Sequence, residues 1–296
     1  MAEMIIRIVK GIDVGLLEMK NSLFIVDEFG EALAGRLGVK DFLKVERADA
    51  VSLEDLHREI HTKDYLSIVG IGGAQAVNSA KILSLPRLPH KILREIIYEN
   101  KPPAKRVTII PTVPSLCTDV TRLVLFYDPR NPAWLMRRLA PTTAITTPQY
   151  LQEAAQDCRT KAIAMDVYLS SSMSQHTGTT YLWLCNNYEK LGPGPVTVFM
   201  LTLASVFSIS LDALAREAAK LNVREAFEKI RCEEDPYLWI EEEAMFRERK
   251  PKLYKKMDLL VEHAWTFYSL QLRKYGFRGK TDVYKFFRSL LTALSI

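Results

Sequence analysis

Residues 69 to 81 read V-G-I-G-G-A-Q-A-V-N-S-A-K, with Gly70, Gly72 and Gly73 closing an apolar run ahead of a helix-compatible stretch. Such a turn aims free backbone N–H groups from a helix N-terminus, where the helix dipole also favours an anion, so the chemistry on offer is phosphate binding. A strand-to-helix turn also uses glycine simply to reach positive φ, and the spacing is not the G-x-G-x-x-G of dinucleotide-binding turns. On the residues alone both readings stay open. Metal ligands are few. The histidines are His57, His61, His90, His176 and His263, and the cysteines Cys117, Cys158, Cys185 and Cys232 are widely spaced with no C-x-x-C pair. The cysteines are expected to be reduced and mostly buried. His57 and His61 form H-R-E-I-H, two imidazoles at i and i+4 on a helix, a spacing that can hold a metal. Their glutamate stands at the third position, unlike H-E-x-x-H, and the pair reads as a solvated helix face. There is no G-x-S-x-G nucleophile motif, and SSSMS at 170–174 reads as a helix continuing with small residues.

The elements that must position these residues alternate in type. SLFIVDE (22–28) reads as a strand and FGEALAGRLG as a helix ending near Gly38. FLKVE (42–46) is a second strand, SLEDLHREIHT a helix with Ser52 as its cap, and YLSIVGIGG a third strand and its turn. A helix begins at Ala76. RVTIIPT (106–112) is a fourth strand, and TRLVLFYD (121–128) and TTAITT (142–147) are further short ones. Strands joined by crossover helices predict an α/β domain with a largely parallel sheet. From Tyr150 onward the pattern is amphipathic and helical, broken at LGPGP (191–195), at DP (235–236) and at KP (250–251), so the expected division is residues 1–150 and 151–296. The apolar run Val196–Leu211 is interrupted by threonines and serines and reads as a buried helix rather than a membrane span.

Composition excludes disorder, because the 296 residues are 48% hydrophobic and 25% charged. The opening MAEMIIRIVKG lacks the long apolar core and cleavage site of a secretory signal, so a cytoplasmic location is expected. Of the net charge of +5, segment 247–290 supplies +8, from twelve Lys/Arg against Glu248, Asp258, Glu262 and Asp282. Its basic residues interleave with Tyr254, Tyr275, Phe277, Tyr284, Phe286 and Phe287, a combination that nucleic-acid surfaces use. The acidic stretch 216–243 offers an internal or subunit partner for the same charges, and helical spacing suits the aromatics to a core face. The core and contact reading is preferred over nucleic acid.

The order SLFIVDE, VGIGGAQAVNSAK, IIPTVPSLCTDVT, LAPTTAITTP, AIAMDVYLSSS resembles the metal-dependent alcohol dehydrogenase superfamily over residues 20–170. That group includes the iron-containing alcohol dehydrogenases, glycerol and glycerol-1-phosphate dehydrogenases, and dehydroquinate synthase. The resemblance implies the dehydroquinate synthase-like architecture: a Rossmann-like N-terminal domain and an all-α C-terminal domain, here shortened. In the family the turn reads roughly G-G-G-S-x-x-D-x-A-K and holds the pyrophosphate of NAD(P). Gly72, Gly73, Ala80 and Lys81 match, while Ala74 replaces the third glycine, Gln75 the serine and Asn78 the aspartate. PTVPSLCTD is similar to the P-T-x-P-S loop of the glycerol-1-phosphate branch, with Pro111, Thr112 and Ser115 matching. Asp27 matches a family position near the adenine ribose, and an acid there favours NAD over NADP.

The family's divalent ion, iron or zinc, polarises the substrate oxygen and is held by an Asp in G-x-D-A-L-x-H, the His four residues on, and later histidines. Here A-M-D-V-Y-L-S keeps Asp166 and puts Ser170 in the histidine's place; serine is a poor ligand for either metal. His176 is wrongly spaced, and His263 is the sole later candidate, so no family-type metal is expected. If one were held, Asp166 and His263 would be its ligands; otherwise Asp166 is a capping or ion-paired helix residue. Two functions follow. One is a relative acting as a non-catalytic or nucleotide-binding subunit, in a homo-oligomer or with a protein partner. The other is an active NAD(P)-dependent dehydrogenase acting on an alcohol or polyol phosphate.

Overall fold

Ser67–Gly72 (SIVGIG) is buried at every position, as a strand covered on both faces must be, and it stands inside the sheet rather than at its edge. The computed structural model describes residues 4–17, 20–99, 101–139, 142–170, 180–230 and 236–294. His176, Cys232 and the SSSMS run beyond Ser170 lie outside the described residues. The strands are β1 (Ile5–Ile8), β2 (Ser22–Val26), β3 (Leu43–Lys44), β4 (Ser67–Gly72), β5 (Arg106–Pro111), β6 (Leu123–Asp128), β7 (Ala133–Arg138) and β8 (Thr143–Thr146). Six of them form one sheet in the order β1-β8-β5-β4-β2-β3, each pair parallel. Helices α1 (Glu31–Arg36), α2 (Ser52–Ile60), α3 (Ala74–Leu83) and α4 (Leu93–Tyr98) make the connections.

Two strands, β1 and β7, go beyond the sequence reading: β1 extends the sheet beside β8, and β7 pairs antiparallel with β6, Leu125 opposite Met136, outside the main sheet. Ser52 is not the cap of α2. Asp49 Oδ1 accepts from the N–H groups of Val51 (3.0 Å) and Ser52 (2.7 Å) instead, because the turn starts three residues earlier than the S-x-x-D pattern suggests.

The remaining helices are α5 (Pro148–Gln156), α6 (Cys158–Leu169), α7 (Tyr181–Leu191), α8 (Pro195–Phe207), α9 (Leu211–Ala218), α10 (Val223–Lys229), α11 (Pro236–Arg249), α12 (Pro251–Tyr254), α13 (Met257–Lys274) and α14 (Lys280–Ala293). The chain forms two compact units, Met1–Thr160 with Gly178–Lys190, and Lys161–Thr177 with Leu191–Ile296. This differs from a cut at 150/151. Secondary structure does change character there, but α5 packs with the sheet-bearing unit through buried Tyr150 and Ala154. In the helical unit, Pro195 to Ala204 of α8 is buried throughout, and the tail aromatics Phe277, Phe286 and Phe287 are core residues, with Phe287 5.2 Å from Phe199. Among the described residues no single helix is long and apolar enough to cross a membrane.

His57 and His61 overturn the solvated-face reading. His57 is 1% exposed, and both Nε2 atoms meet the Leu85 carbonyl, at 2.9 and 2.7 Å. One carbonyl takes both bonds only if each ring carries its proton on Nε2, so neither ring is a metal ligand through that atom. Burial lowers both pKa values below the usual histidine range. The unfolded chain therefore binds protons first as pH falls, and stability is complete above about pH 6.5 and declines below it. Urea denaturation between pH 8 and pH 5, about three units around that pKa, is expected to show a steeper loss for wild type than for His57→Gln/His61→Gln. Parallel profiles would refute the assignment.

Candidate functional site

β2, β4 and β5 end side by side, which brings Asp27, the glycine turn and Thr112 to one edge of the parallel sheet, where ligands of open α/β sheets bind. Asp27 is 1% exposed and reaches into the turn. Its carboxylate accepts from the backbone N–H of Gly73 (3.0 and 2.9 Å), Ala76 (3.1 Å) and Phe29 (3.1 Å). Gly73 is the N-cap of α3 and has no side chain to close it, so the Asp27 carboxylate takes the place an anion would occupy. The glycines make the room. Gly72 sits at φ +143°, and an added Cβ there would overlap Asp27 Oδ1 and stand 2.7 Å from its Cγ; at Gly73 it would meet Val113 Cγ2 at 2.8 Å.

The other motif positions are engaged within the chain, Asn78 and Lys81 with the segment from the loop after β5 into β6. Ala74 opens α3, and its carbonyl accepts from Asn78 Nδ2 at 2.6 Å. Gln75 Oε1 accepts from Ala48 N–H at 2.8 Å, and Asn78 Oδ1 from Leu125 N–H at 2.8 Å, which pins β6. Lys81 is 2% exposed and donates to three carbonyls, those of Thr118, Thr121 (2.7 Å) and Leu123 (2.9 Å). Burial pulls its pKa down to about 7, opposed by Asp119 and Glu189. The Thr112 N–H donates to Gly72 O (2.9 Å), while its hydroxyl oxygen is buried without a hydrogen-bond partner. Ser115 Oγ donates to Asp119 Oδ1 at 3.0 Å.

Asp119 anchors a cluster that no sequence spacing signals. It is 0% exposed and also accepts from the hydroxyls of Tyr150 (2.5 Å) and Tyr181 (2.8 and 2.9 Å), both of whose pKa values are raised well above the tyrosine range by burial and by this carboxylate. Cys117 and Cys185 are not reduced; they form a disulfide, with Cα atoms 5.2 Å apart across 68 residues of sequence. The expectation failed because the pairing is tertiary, joining the loop after β5 to α7. Cys158 is a free, half-buried thiol.

In the helical unit, Asp166 repeats the geometry of Asp27. It is 0% exposed and accepts from the N–H groups of Gly194 (3.1 Å), Val196 (2.7 Å) and Thr197 (3.0 Å) at the amino end of α8. Burial raises its pKa to about 6 against those hydrogen bonds. A Cβ on Gly194 would lie 2.5 Å from Asp166 Cγ. Ser170 Oγ turns back to donate to Val167 O (2.6 Å), and the His263 ring packs 4.8 Å from that of Phe267. These residues do not fit a family-type ion, because the acid's lone pairs already serve three amides. Among the described residues no group of three or more His, Cys, Asp or Glu could hold a metal ion. The turn is a poor fit to pyrophosphate for the same reason, its donors being engaged by a carboxylate.

A six-stranded parallel sheet with crossover helices, followed in the chain by a helical unit, is a fold that this chain shares with solved iron-containing alcohol dehydrogenases. An iron-containing alcohol dehydrogenase from Thermotoga maritima matches with a TM-score of 0.67 and 12% identity, over 99% of this chain and 98% of its own. NADH-dependent butanol dehydrogenase A from the same organism matches at 0.61 and 11%, over 100% and 98%. A probable glycerol dehydrogenase from Sinorhizobium meliloti matches at 0.54 and 13%, over 93% and 91%. What is shared at those identities is the fold. No protein-family model and no curated protein matches the chain.

Proposed function

We propose that this chain is a divergent dehydrogenase-fold protein without the family-type metal, working as a non-catalytic or nucleotide-binding subunit. The observation that carries the reading is the Asp166 carboxylate, whose two oxygens accept three backbone N–H bonds at the start of α8 while Ser170 stands one turn on. An acid committed in that way closes a helix rather than holding an ion that would polarise an alcohol. Asp27 supports it, since a carboxylate inside the turn repels a pyrophosphate and holds the amides that would bind one.

One observation favours the other reading, an NAD(P)-dependent enzyme acting on an alcohol or polyol phosphate. The Thr112 hydroxyl is buried beside the glycine turn with no partner, and a bound nucleotide would give it one. Metal analysis and calorimetric titration with NAD and NADP decide between them. Purified protein is expected to hold less than one zinc or iron per chain, and to bind NAD more weakly than Asp27→Ala, which frees the turn's amides. One tightly held ion per chain, lost on Asp166→Ala, together with NAD-dependent alcohol oxidation, would establish the enzyme instead.

A further inference from the structure

Parallel sheets are apolar on both faces because crossover helices cover them. One face of this sheet departs from that rule where its cover runs out. The connection from β1 to β2 holds only a three-residue 3-10 turn, Val14–Leu16, and α1 is six residues long. Near the carboxyl ends of their strands, Val26, Ile71, Ile110 and Ile145 pack in one core with Ala34 and Leu37 of α1. Toward the amino ends the same face turns polar. Register sets Thr143 between Ile5 and Thr108, and sets Arg106, two residues before Thr108, beside Ser67; Arg7 follows Ile5 by two. Alternate residues of a strand share a face, so these side chains line one groove, whose volume of about 710 Å³ is that of a small-ligand site.

Charges and hydroxyls select the ligand. Arg7, Lys105 and Arg106 line the groove, and among the described residues no carboxylate does. Thr142 is 4% exposed and lines the groove, and its hydroxyl, like those of Thr108 and Thr143, has no hydrogen-bond partner among the described residues. Thr108 and Thr143 stand side by side, with Arg106 and Arg7 on opposite diagonals from the pair. With strands about 4.8 Å apart and a rise of about 3.3 Å per residue, both guanidiniums can reach an anion seated over the two threonines. Lys105 donates to Tyr65 O at 2.6 Å and adds its charge from the side. A phosphate monoester offers such donors three oxygens, which guanidiniums take two at a time. Ile5, Leu16 and Val69 give its organic part an apolar wall.

We infer that this groove binds a soluble organic phosphate, at the opposite end of the strands from the glycine turn and independently of it. Calorimetric titration of the full-length chain with phenyl phosphate tests it. Wild type is expected to bind phenyl phosphate more tightly than inorganic phosphate, with an affinity that falls as salt rises. Arg7→Gln and Thr143→Val are each expected to weaken binding by about tenfold, the loss of one charge-assisted hydrogen bond. Unchanged circular dichroism of both variants assigns the effect to the lost donor. Arg36→Gln, in a second cationic pocket that Lys10 also lines, is expected to leave the affinity unchanged. A wild type that binds no phenyl phosphate, equal affinity for inorganic phosphate, or a loss in Arg36→Gln rather than in Arg7→Gln would overturn the inference. Cosedimentation with phosphatidate vesicles separates a lipid headgroup from a soluble ester. It is expected to be absent, and capture by vesicles without binding of phenyl phosphate would likewise overturn the inference.

Discussion

Replacing Lys81 with methionine is expected to cost about 3–5 kcal/mol of stability, the range for removing one partner of a buried charge-assisted network. The three carbonyls it serves, at Thr118, Thr121 and Leu123, lie on the loop running from β5 into β6, and each would be left without its donor. Methionine keeps the volume and the apolar stem, so the loss reports hydrogen bonding rather than a cavity. The pH dependence carries a second signature. With the folded pKa near 7 and the unfolded value at 10.5, the unfolded chain holds the extra proton between those limits, and wild-type stability gains with rising pH over that window relative to Lys81→Met. Urea denaturation at pH 7 and pH 9, about two units apart inside that window, measures both. A loss below about 1 kcal/mol would mean that the loop carbonyls find water instead.

Gly72→Ala is expected to cost about 4 kcal/mol, combining a side chain forced into an unfavoured backbone region with overpacking against a fixed neighbour. Gly72 holds φ +143°, and its Cβ position is already filled by the Asp27 carboxylate, which three amides keep in place. The two readings of the turn separate here. If its role is to seat Asp27, the substitution destabilises the fold, and adding Asp27→Ala relieves the overlap, giving a coupling of about 1–3 kcal/mol in the double-mutant cycle. If its role is to hold a phosphate, the same substitution lowers nucleotide affinity, costs stability only through the backbone strain at φ +143°, and shows no coupling with Asp27→Ala.

Asp27 and Asp166 show one device used twice. In each unit a helix begins just after a glycine-containing turn, at Gly73 for α3 and at Gly194 for α8, and neither N-cap has a side chain to satisfy the first amides. A carboxylate from another element supplies the acceptor, and the glycine admits it. These are the two positions at which the family resemblance implies cofactor and metal chemistry. A helix N-terminus satisfied by the chain's own acid and one left open for a ligand differ only in where a neighbouring carboxylate points.

The sequence by itself determined the sheet-forming runs, the parallel α/β class, the helical second half and the glycine turn between strand and helix. Each of these is local: apolar periodicity, run length and glycine placement act over a few residues. Even the correspondence with the dehydrogenase fold was legible from Gly72, Gly73, Lys81 and the PTVPS loop, because backbone turns constrain residue type directly. The tertiary structure alone decided what fills that turn. Asp27 lies 46 residues from Gly73, Asp166 lies 28 from Gly194, and Cys117 lies 68 from Cys185, and no pattern within one element encodes those meetings. His57 shows the same limit in the opposite direction, since its i, i+4 partner was visible but the Leu85 carbonyl that buries it, 28 residues on, was not. Residue types fix which bonds can form, and only the packed chain decides which acceptor stands within 3 Å of which donor.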